Sequence, residues 1–577
     1  MKDIQISKNQ YIPTFSKTEE EILKYWKEKG ILEKSIEQRS KEKSFTFYDG
    51  PITSNNKPHY GHALTMVIKD VVPRYKTMKG YRVDRSLGWD CQGIPVEYEV
   101  EKELGFEQKE DIEKFGIEKF NELCRASVKK YKGEIFALTE RMGRWVNSDE
   151  EYATMDPWYI ESVWWSLKEL YKKDLLYEGY KVVPYSTRAG TTLSNSEVAL
   201  GGYTSIVDPA VVVKLKLKES DTYLLIWTTT PWTLPGNLLV AVGKDFDYVE
   251  VEYNGEKYIV AKELVENIFK EDFKVGKTYK GSELIDKEYE PLYPYYADKR
   301  DEGAFKVVHG DHVTFEDGTG LVHQAPYGEE DFILMTDMGI GMFDYLDDQG
   351  NMKEEIEQFK GMFYKKANKY IMQDLEQRNL LFSHYDYEHQ MPMCWRTNTP
   401  LIYKPIKSWY VKVTAIRDML VKENKDINWV PKHVKEGRFG NWLEEARDWA
   451  LSRNRYWGTP LPVWICDKCG MKDVMGSLAE VKEKSGVELK DPHKPFVDEI
   501  KYACECGGEM SRVNDVIDVW YDSGSMPFAR LHYPFENKEK FESKYPGEFI
   551  AEGVDQTRGW FYTLHVLGVA LFGKKSF

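Results

Sequence analysis

The sequence predicts an α/β protein built on a split Rossmann-type sheet, interrupted by a separate β-rich block and carrying a small cysteine-rich insertion. Three observations point there. "SFTFYDGP" (44–51) alternates like a strand, a helical pattern follows through Leu64, Val67, Ile68, Val71, Val72 and Tyr75 towards Gly80, and "YRVDRS" (81–86) reads as the next strand. That is the opening of a βαβ unit, with a loop at the carboxyl end of its first strand, where open parallel sheets bind ligands. Between about 200 and 385, "PAVVVKLKL", "TYLLIWTTT", "LLVAV", "YVEVEY" and "KYIVA" are short, closely spaced strands. An α/β pattern then resumes with "SWYVKVT" (408–414) and a helical segment near 434–452, and four of the seven cysteines cluster after it.

The elements outside these blocks are helical. Ser16, Lys17, Thr18 and Glu19 form a capping-box sequence ahead of Ile22, Leu23, Trp26 and Ile31, which reads as a leading helix. Residues 155–180 form a Trp-rich helical stretch. The expected boundaries are 1–45 for an N-terminal helical extension, 46–199 for the first half of the sheet domain, 200–388 for the β-rich domain and 389–577 for the second half, with the insertion at 465–510.

Composition restricts the function classes. With 577 residues, 42% hydrophobic and 30% charged, the chain is an ordinary globular sequence with core enough for several domains. A net charge of −15 argues against indiscriminate coating of nucleic acid but leaves a specific nucleic-acid partner open. No apolar run reaches about 18 residues and the N-terminus lacks a signal-peptide core, so no membrane association and a cytoplasmic location are expected. Scattered Cys91, Cys124 and Cys394 beside clustered Cys466, Cys469, Cys504 and Cys506 suit a reducing compartment with one metal site.

The candidate chemistry starts at "HYGH" (59–62). Two imidazoles at a helix start add donors where free N–H groups and the positive end of the dipole already favour anions, which suits a phosphate gaining charge in a transition state. Two surface histidines in a glycine-containing turn are the competing reading of these four residues alone. Their context is longer. "YDGP" upstream and "GWDCQGIP" (88–95) after the next strand together resemble the first half of a class I aminoacyl-tRNA synthetase. "INWVPKHVKEGRFGNWLEEARDWALSRNRYWGTPLPVW" (427–464), "DVWYDSGSMPFA" (518–529) and "EGVDQTRGWFYTL" (552–564) resemble the isoleucyl branch of that family.

The resemblance implies roles residue by residue. His59, Gly61 and His62, with Asp49, Gly50 and Pro51, fall on the ATP-binding signature. Asp90 falls where the family holds the ammonium of the amino acid, a natural carboxylate–cation pairing. Glu552, Gly553, Asp555 and Gln556 fall on the aminoacyl-adenylate site, and Trp457 and Trp560 on walls of the side-chain pocket; without the resemblance both tryptophans read as core. Gln92 stands where the family commonly has histidine. ATP with Mg²⁺, L-isoleucine and tRNA(Ile) are the implied partners, and a monomer is expected.

In the β-rich block, "WTTTPWTLPGN" (227–237) and "GTGLVHQAPYGEEDF" (318–332) resemble the family's β-barrel-like editing domain, which hydrolyses valine wrongly attached to tRNA. The resemblance implies that Thr228, Thr229, Thr230, Thr233, Asn237 and His323 line that pocket and that Asp331 grips the amino group. Taken alone, the three threonines simply suit a strand. A second site is needed because one methylene is worth only about 1–3 kcal/mol of discrimination, a limit for which isoleucine against valine is the standard illustration.

C-x2-C and C-x-C, 34 residues apart, put four thiols on tight glycine-containing turns, a pattern for structural Zn²⁺, with unligated core cysteines or a redox pair as alternatives. A Lys-Met-Ser-Lys-Ser-like loop is not recognisable in "FGKKSF" at 572–577, which leads to the expectation of an N-terminal portion of a longer enzyme that activates isoleucine poorly. The rivals are a valyl-tRNA synthetase and a catalytically silent tRNA-binding fragment.

Overall fold

The computed structural model describes residues 11–577 except Ser54 and Asn56, so the first ten residues of the expected N-terminal extension lie outside it. The chain forms two compact units, one of residues 1–177, 195–200 and 409–577, the other of 178–194 and 201–408. The second unit begins earlier and ends later than the expected 200–388, because the long strand Leu381–Pro392 pairs along its whole length with Tyr203–Lys216 and carries the unit past residue 388.

The first unit holds a parallel sheet. Ile52–Thr53 pairs in parallel with Ser86–Asp90, which pairs in parallel with Asn147–Ala153. Single parallel bridges, Ser44 to Arg82 and Phe47 to Phe549, extend the first strand on both sides. The expected strand at 44–51 is therefore a run of isolated bridges and not a continuous strand, since Asp49, Gly50 and Pro51 interrupt its ladder. From its carboxyl end the chain enters the helix Tyr60–Met78, which stops before Gly80 at φ 85°.

Two further expectations change. The leading helix spans Tyr11–Lys29, so Ser16 lies inside it; Ser16 and Glu19 meet Arg141 instead of capping. The helical segment near 434–452 stops at Glu444, after which Trp449–Ala450 and Ser452–Arg453 are short strands. The helix Trp560–Phe572 is buried almost throughout and packs with Tyr159, Phe439 and Trp449 in the core of this unit. The insertion is a four-stranded antiparallel sheet from Val463–Cys466, Lys472–Val474, Lys501–Ala503 and Glu509–Arg512.

In the second unit six stretches close a ring. Tyr203–Lys216 pairs with Thr222–Thr228, which meets Val322–Gln324, then Leu239–Val242, then Lys306–His309. Bridges Glu288–Lys306 and Leu217–Tyr289 complete the circuit. Val211, Val213, Leu224, Ile226, Val240 and Val307 fill the core, the alternate positions of these strands.

Candidate functional site

At the head of the helix Tyr60–Met78 the two histidines cap the helix reciprocally. His59 Nδ1 accepts from the Gly61 N–H at 3.1 Å, and His62 Nδ1 accepts from the His59 N–H at 3.2 Å. The rings lie 4.0 Å apart. A Cβ on residue 61 would come within 2.9 Å of the His59 ring, so the folded-back imidazole requires glycine there. Because both Nδ1 atoms act as acceptors, a neutral imidazole at each position carries its proton on Nε2. Burial, with His59 and Lys69 nearby, lowers the His62 pKa and favours that neutral form. The arrangement offers two Nε2–H donors at a helix N-terminus, a geometry for binding phosphate oxygens.

Behind them lies an ion network that sequence reasoning missed. Lys69, one face down the same helix and 4% exposed, lies 2.9 Å from Asp49 Oδ1 and is ion-paired to Glu552; Arg144 is ion-paired to Asp49. These two cations hold the Asp49 carboxyl below its ordinary range despite burial, while burial pushes Glu552 up. Asp49 is 1% exposed and already engaged, so it anchors the loop from within. Gly50 admits Glu552 and Trp560, since a Cβ there would sit 2.7 Å from the Glu552 carboxyl and 3.2 Å from the indole. Pro51 is half-buried beside it. Asp90 is buried at the end of its strand. Gly553 precedes the 3₁₀ turn Val554–Arg558, in which Gln556 bonds Asp555 and the Trp560 N–H.

Trp560 is fixed by its Nε1–H on the Ser523 carbonyl at 3.0 Å. Trp457 needs correction as a pocket wall. It has no exposed surface, and its Nε1–H donates to the Cys91 carbonyl at 2.7 Å, so it supports the 91–93 loop from the core. Trp520, half-buried, lies against Gly559, which directly precedes Trp560. Its signal was the "DVWYDSG" stretch already singled out.

In the second unit the threonines converge on one cavity of about 350 Å³, lined also by His323, Tyr327, Asp331 and His389. The Thr228, Thr230 and Thr233 hydroxyls form a chain at 3.0 and 3.1 Å, which continues from Thr233 to His323 Nε2 at 3.0 Å. Tyr289 donates to Asn237 Oδ1 at 2.9 Å, turning the Asn237 amide N–H towards His323 Nδ1 at 2.8 Å. His323 thus carries its proton on Nε2, and burial lowers its pKa to about 3, so it stays neutral. Asn237 is therefore behind the histidine and not in the cavity lining, while Thr229 is in it. Asp331 lies in the first turn of Glu329–Asp337 and accepts from the Ala325 N–H at 2.9 Å. Burial pushes its pKa up to about 7, which favours the neutral carboxyl.

The four clustered cysteines have their sulfurs all within 4.8 Å of one another, with Cys466–Cys506 at 3.4 Å and Cys469–Cys504 at 3.8 Å. A tetrahedron of thiolates at about 2.3 Å from Zn²⁺ has edges of about 3.8 Å, so the set fits that ion. A Cβ at position 508 would lie 2.7 Å from Cys466 Sγ, hence the glycine. Cys394 is buried and is not a member of this cluster. Lys574 and Lys575 bond the backbone carbonyls of Tyr545 and Asp426.

Residues 21–577 match the family described as tRNA synthetases class I (I, L, M and V). An isoleucine–tRNA ligase of Treponema denticola is 49% identical, and one of Thermus thermophilus is also 49% identical; in both the match covers 98% of this chain and 54% of the relative. The chain spans about half the length of these relatives. A solved LeuRS–tRNA–LeuAMS complex from Agrobacterium radiobacter K84 aligns over 96% of this chain and 64% of that one, at 15% identity and TM-score 0.44.

Proposed function

The chain belongs to the class I tRNA synthetases of the I, L, M and V group, and on that premise we propose that it is the activating and proofreading part of an isoleucine–tRNA ligase. The isoleucine carboxylate attacks the α-phosphorus of ATP, the bond to the pyrophosphate oxygen breaks, and the isoleucyl group then passes to tRNA(Ile). No side chain forms a covalent intermediate; the residues bind, align and stabilise charge. The observation that carries the reading is the pair of Nε2–H donors that His59 and His62 expose by spending both Nδ1 atoms on the helix cap. Asp90 takes the ammonium, Glu552 to Gln556 the adenylate, and Trp520 and Trp560 the branched side chain. Mg²⁺ accompanies ATP.

The cavity of threonines is read as the site that hydrolyses valyl-tRNA(Ile), with Asp331 on the amino group. The four thiols are read as a structural zinc site, closed to substrate because all four positions are protein ligands. A cytosolic location accords with seven cysteines that form no disulfide among the described residues, and a monomer is the working reading; no helix among the described residues is long and apolar enough to cross a membrane.

The aminoacyl-sulfamoyl adenosines of isoleucine, valine and leucine test the assignment. Calorimetry should find the isoleucyl analogue tightest, about 10–200-fold over the valyl one; preference for valine would assign the chain to the valyl branch instead. For the thiols, elemental analysis should find one zinc per chain, and Cys504→Ser should release it and lower the melting temperature of the protein. A reduced, folded, metal-free wild type would exclude the zinc.

A further inference from the structure

A buried polar chain ties the loop after Asp90 to the cysteine-rich insertion. Gln92 and Thr459 have no exposed surface and His493, carried on the insertion, has 1%. The Thr459 hydroxyl donates to Gln92 Oε1 at 2.9 Å, and Gln92 Nε2 lies 2.6 Å from His493 Nε2. His493 Nδ1 faces the Asp491 carboxylate, which is held by Arg125 at 2.8 Å. A carboxylate only accepts, so the proton of a neutral His493 sits on Nδ1, and burial favours that neutral form. Nε2 is then an acceptor, and Gln92 must turn its amide N–H towards it and its oxygen towards Thr459. A glutamine suits this position because it offers a donor and an acceptor at once, with no tautomer to choose.

The same imidazole stacks on Trp457 with ring centres 4.6 Å apart and planes 12° apart. Trp457 in turn donates to the Cys91 carbonyl at 2.7 Å and accepts from the Gly93 N–H at 2.8 Å. Of the residues that directly follow Asp90, Gln92 is therefore bonded to His493, Cys91 to the indole that His493 stacks on, and Gly93 to the backbone carbonyl of that same tryptophan. The insertion is pinned there as well, since Asn121 Nδ2 donates to the carbonyls of Lys494 at 2.8 Å and Tyr456 at 3.2 Å.

We propose that His493 is a positioning residue for the amino-acid site: from the insertion it locks Gln92 and Trp457, and so holds the loop that aims Asp90 at the substrate ammonium. The proposal rests on the reading of Asp90 given above. It makes the insertion part of substrate binding as well as a metal-bearing fold.

The test compares isoleucyl-sulfamoyl adenosine with its counterpart lacking the amino group, bound to the full 577-residue chain and followed by calorimetry. Loss of aim at Asp90 weakens only the ligand that has the ammonium. In His493→Ala the affinity gained from the amino group should fall about tenfold, the cost of one buried hydrogen bond, while the desamino ligand stays within about twofold. Gln92→Leu should give the same loss, and the double variant no more than either single one, because both break one linkage. His493→Gln, which retains a polar partner, should recover part of it. Equal weakening of both ligands would make His493 merely structural, and an unchanged ratio, or additive losses, would overturn the proposal. Should His493→Ala fail to fold, Gln92→Leu reads the other end of the same bond. A wild type that binds neither ligand would remove the reading of Asp90 as the ammonium site, an outcome distinct from these.

Discussion

Lys69→Met should cost about 3–5 kcal/mol of stability, the usual penalty for removing one partner of a buried ion pair. The lysine is 4% exposed and lies between Asp49, at 1%, and the Glu552 side chain, at 17%. Without it Asp49 keeps Arg144, but Glu552 loses the only cation with which it forms an ion pair among the described residues. Burial already pushes the Glu552 pKa up, and loss of Lys69 pushes it further. The deficit should therefore grow as pH rises and Glu552 is forced to ionise. Urea denaturation at pH 5 and pH 8 measures both effects. Adding Glu552→Gln should restore much of the loss, because no unpaired charge then remains. A deficit below about 1 kcal/mol would mean that water reaches this network.

Asp331→Asn should lower the deacylation of valyl-tRNA(Ile) by about 10² to 10³-fold, the scale of losing one partner of a desolvated charge pair. Its carboxyl, raised to about 7 by burial with Glu330 adding to the shift, is the one acidic side chain in the cavity beside the threonine chain, apart from Asp208, which is held by Lys365 and His389. An ammonium needs the ionised form, so wild-type deacylation should rise with pH through about 7, and the asparagine variant should lose that rise. The folding signs run the opposite way. A carboxyl whose folded pKa exceeds its unfolded value of about 3.9 binds more protons when folded, so its contribution to stability falls between about pH 4 and 7. Asp331→Asn should consequently gain stability relative to wild type across that window, in thermal unfolding of the free protein. Unaltered deacylation would remove Asp331 from the site.

Residue order made some of this legible and hid the rest for physical reasons. The helix after the histidines was readable from its apolar period, yet Leu64, Val71 and Tyr75 prove exposed while Met66, Lys69 and Thr77 are buried. Periodicity detects a stripe and says nothing about what covers it. Lys69 was invisible because its partners come from the first strand's loop and from residue 552, and a lysine in a helix ordinarily reads as solvated. The reciprocal cap of His59 and His62 was implicit in their spacing of three, the separation at which an N-cap and N3 exchange bonds. The burial of Trp457 was not legible because it depends on His493 and Cys91, far away in sequence. The cysteines were readable since their ligand spacing is local, and the Thr228 to His323 chain because its members lie in two short stretches.

Exchange of labelled pyrophosphate into ATP, driven by single amino acids, tests the central claim most directly. Whatever its absolute rate with this chain, exchange should require an amino acid and should run about 10–200 times more efficiently with isoleucine than with valine, the selectivity an apolar pocket draws from one methylene. Replacing His59 and His62 by alanine should abolish it while leaving the fold and the deacylation of valyl-tRNA(Ile) in place. Exchange driven better by valine or leucine, or exchange that survives loss of both histidines, would contradict the assignment.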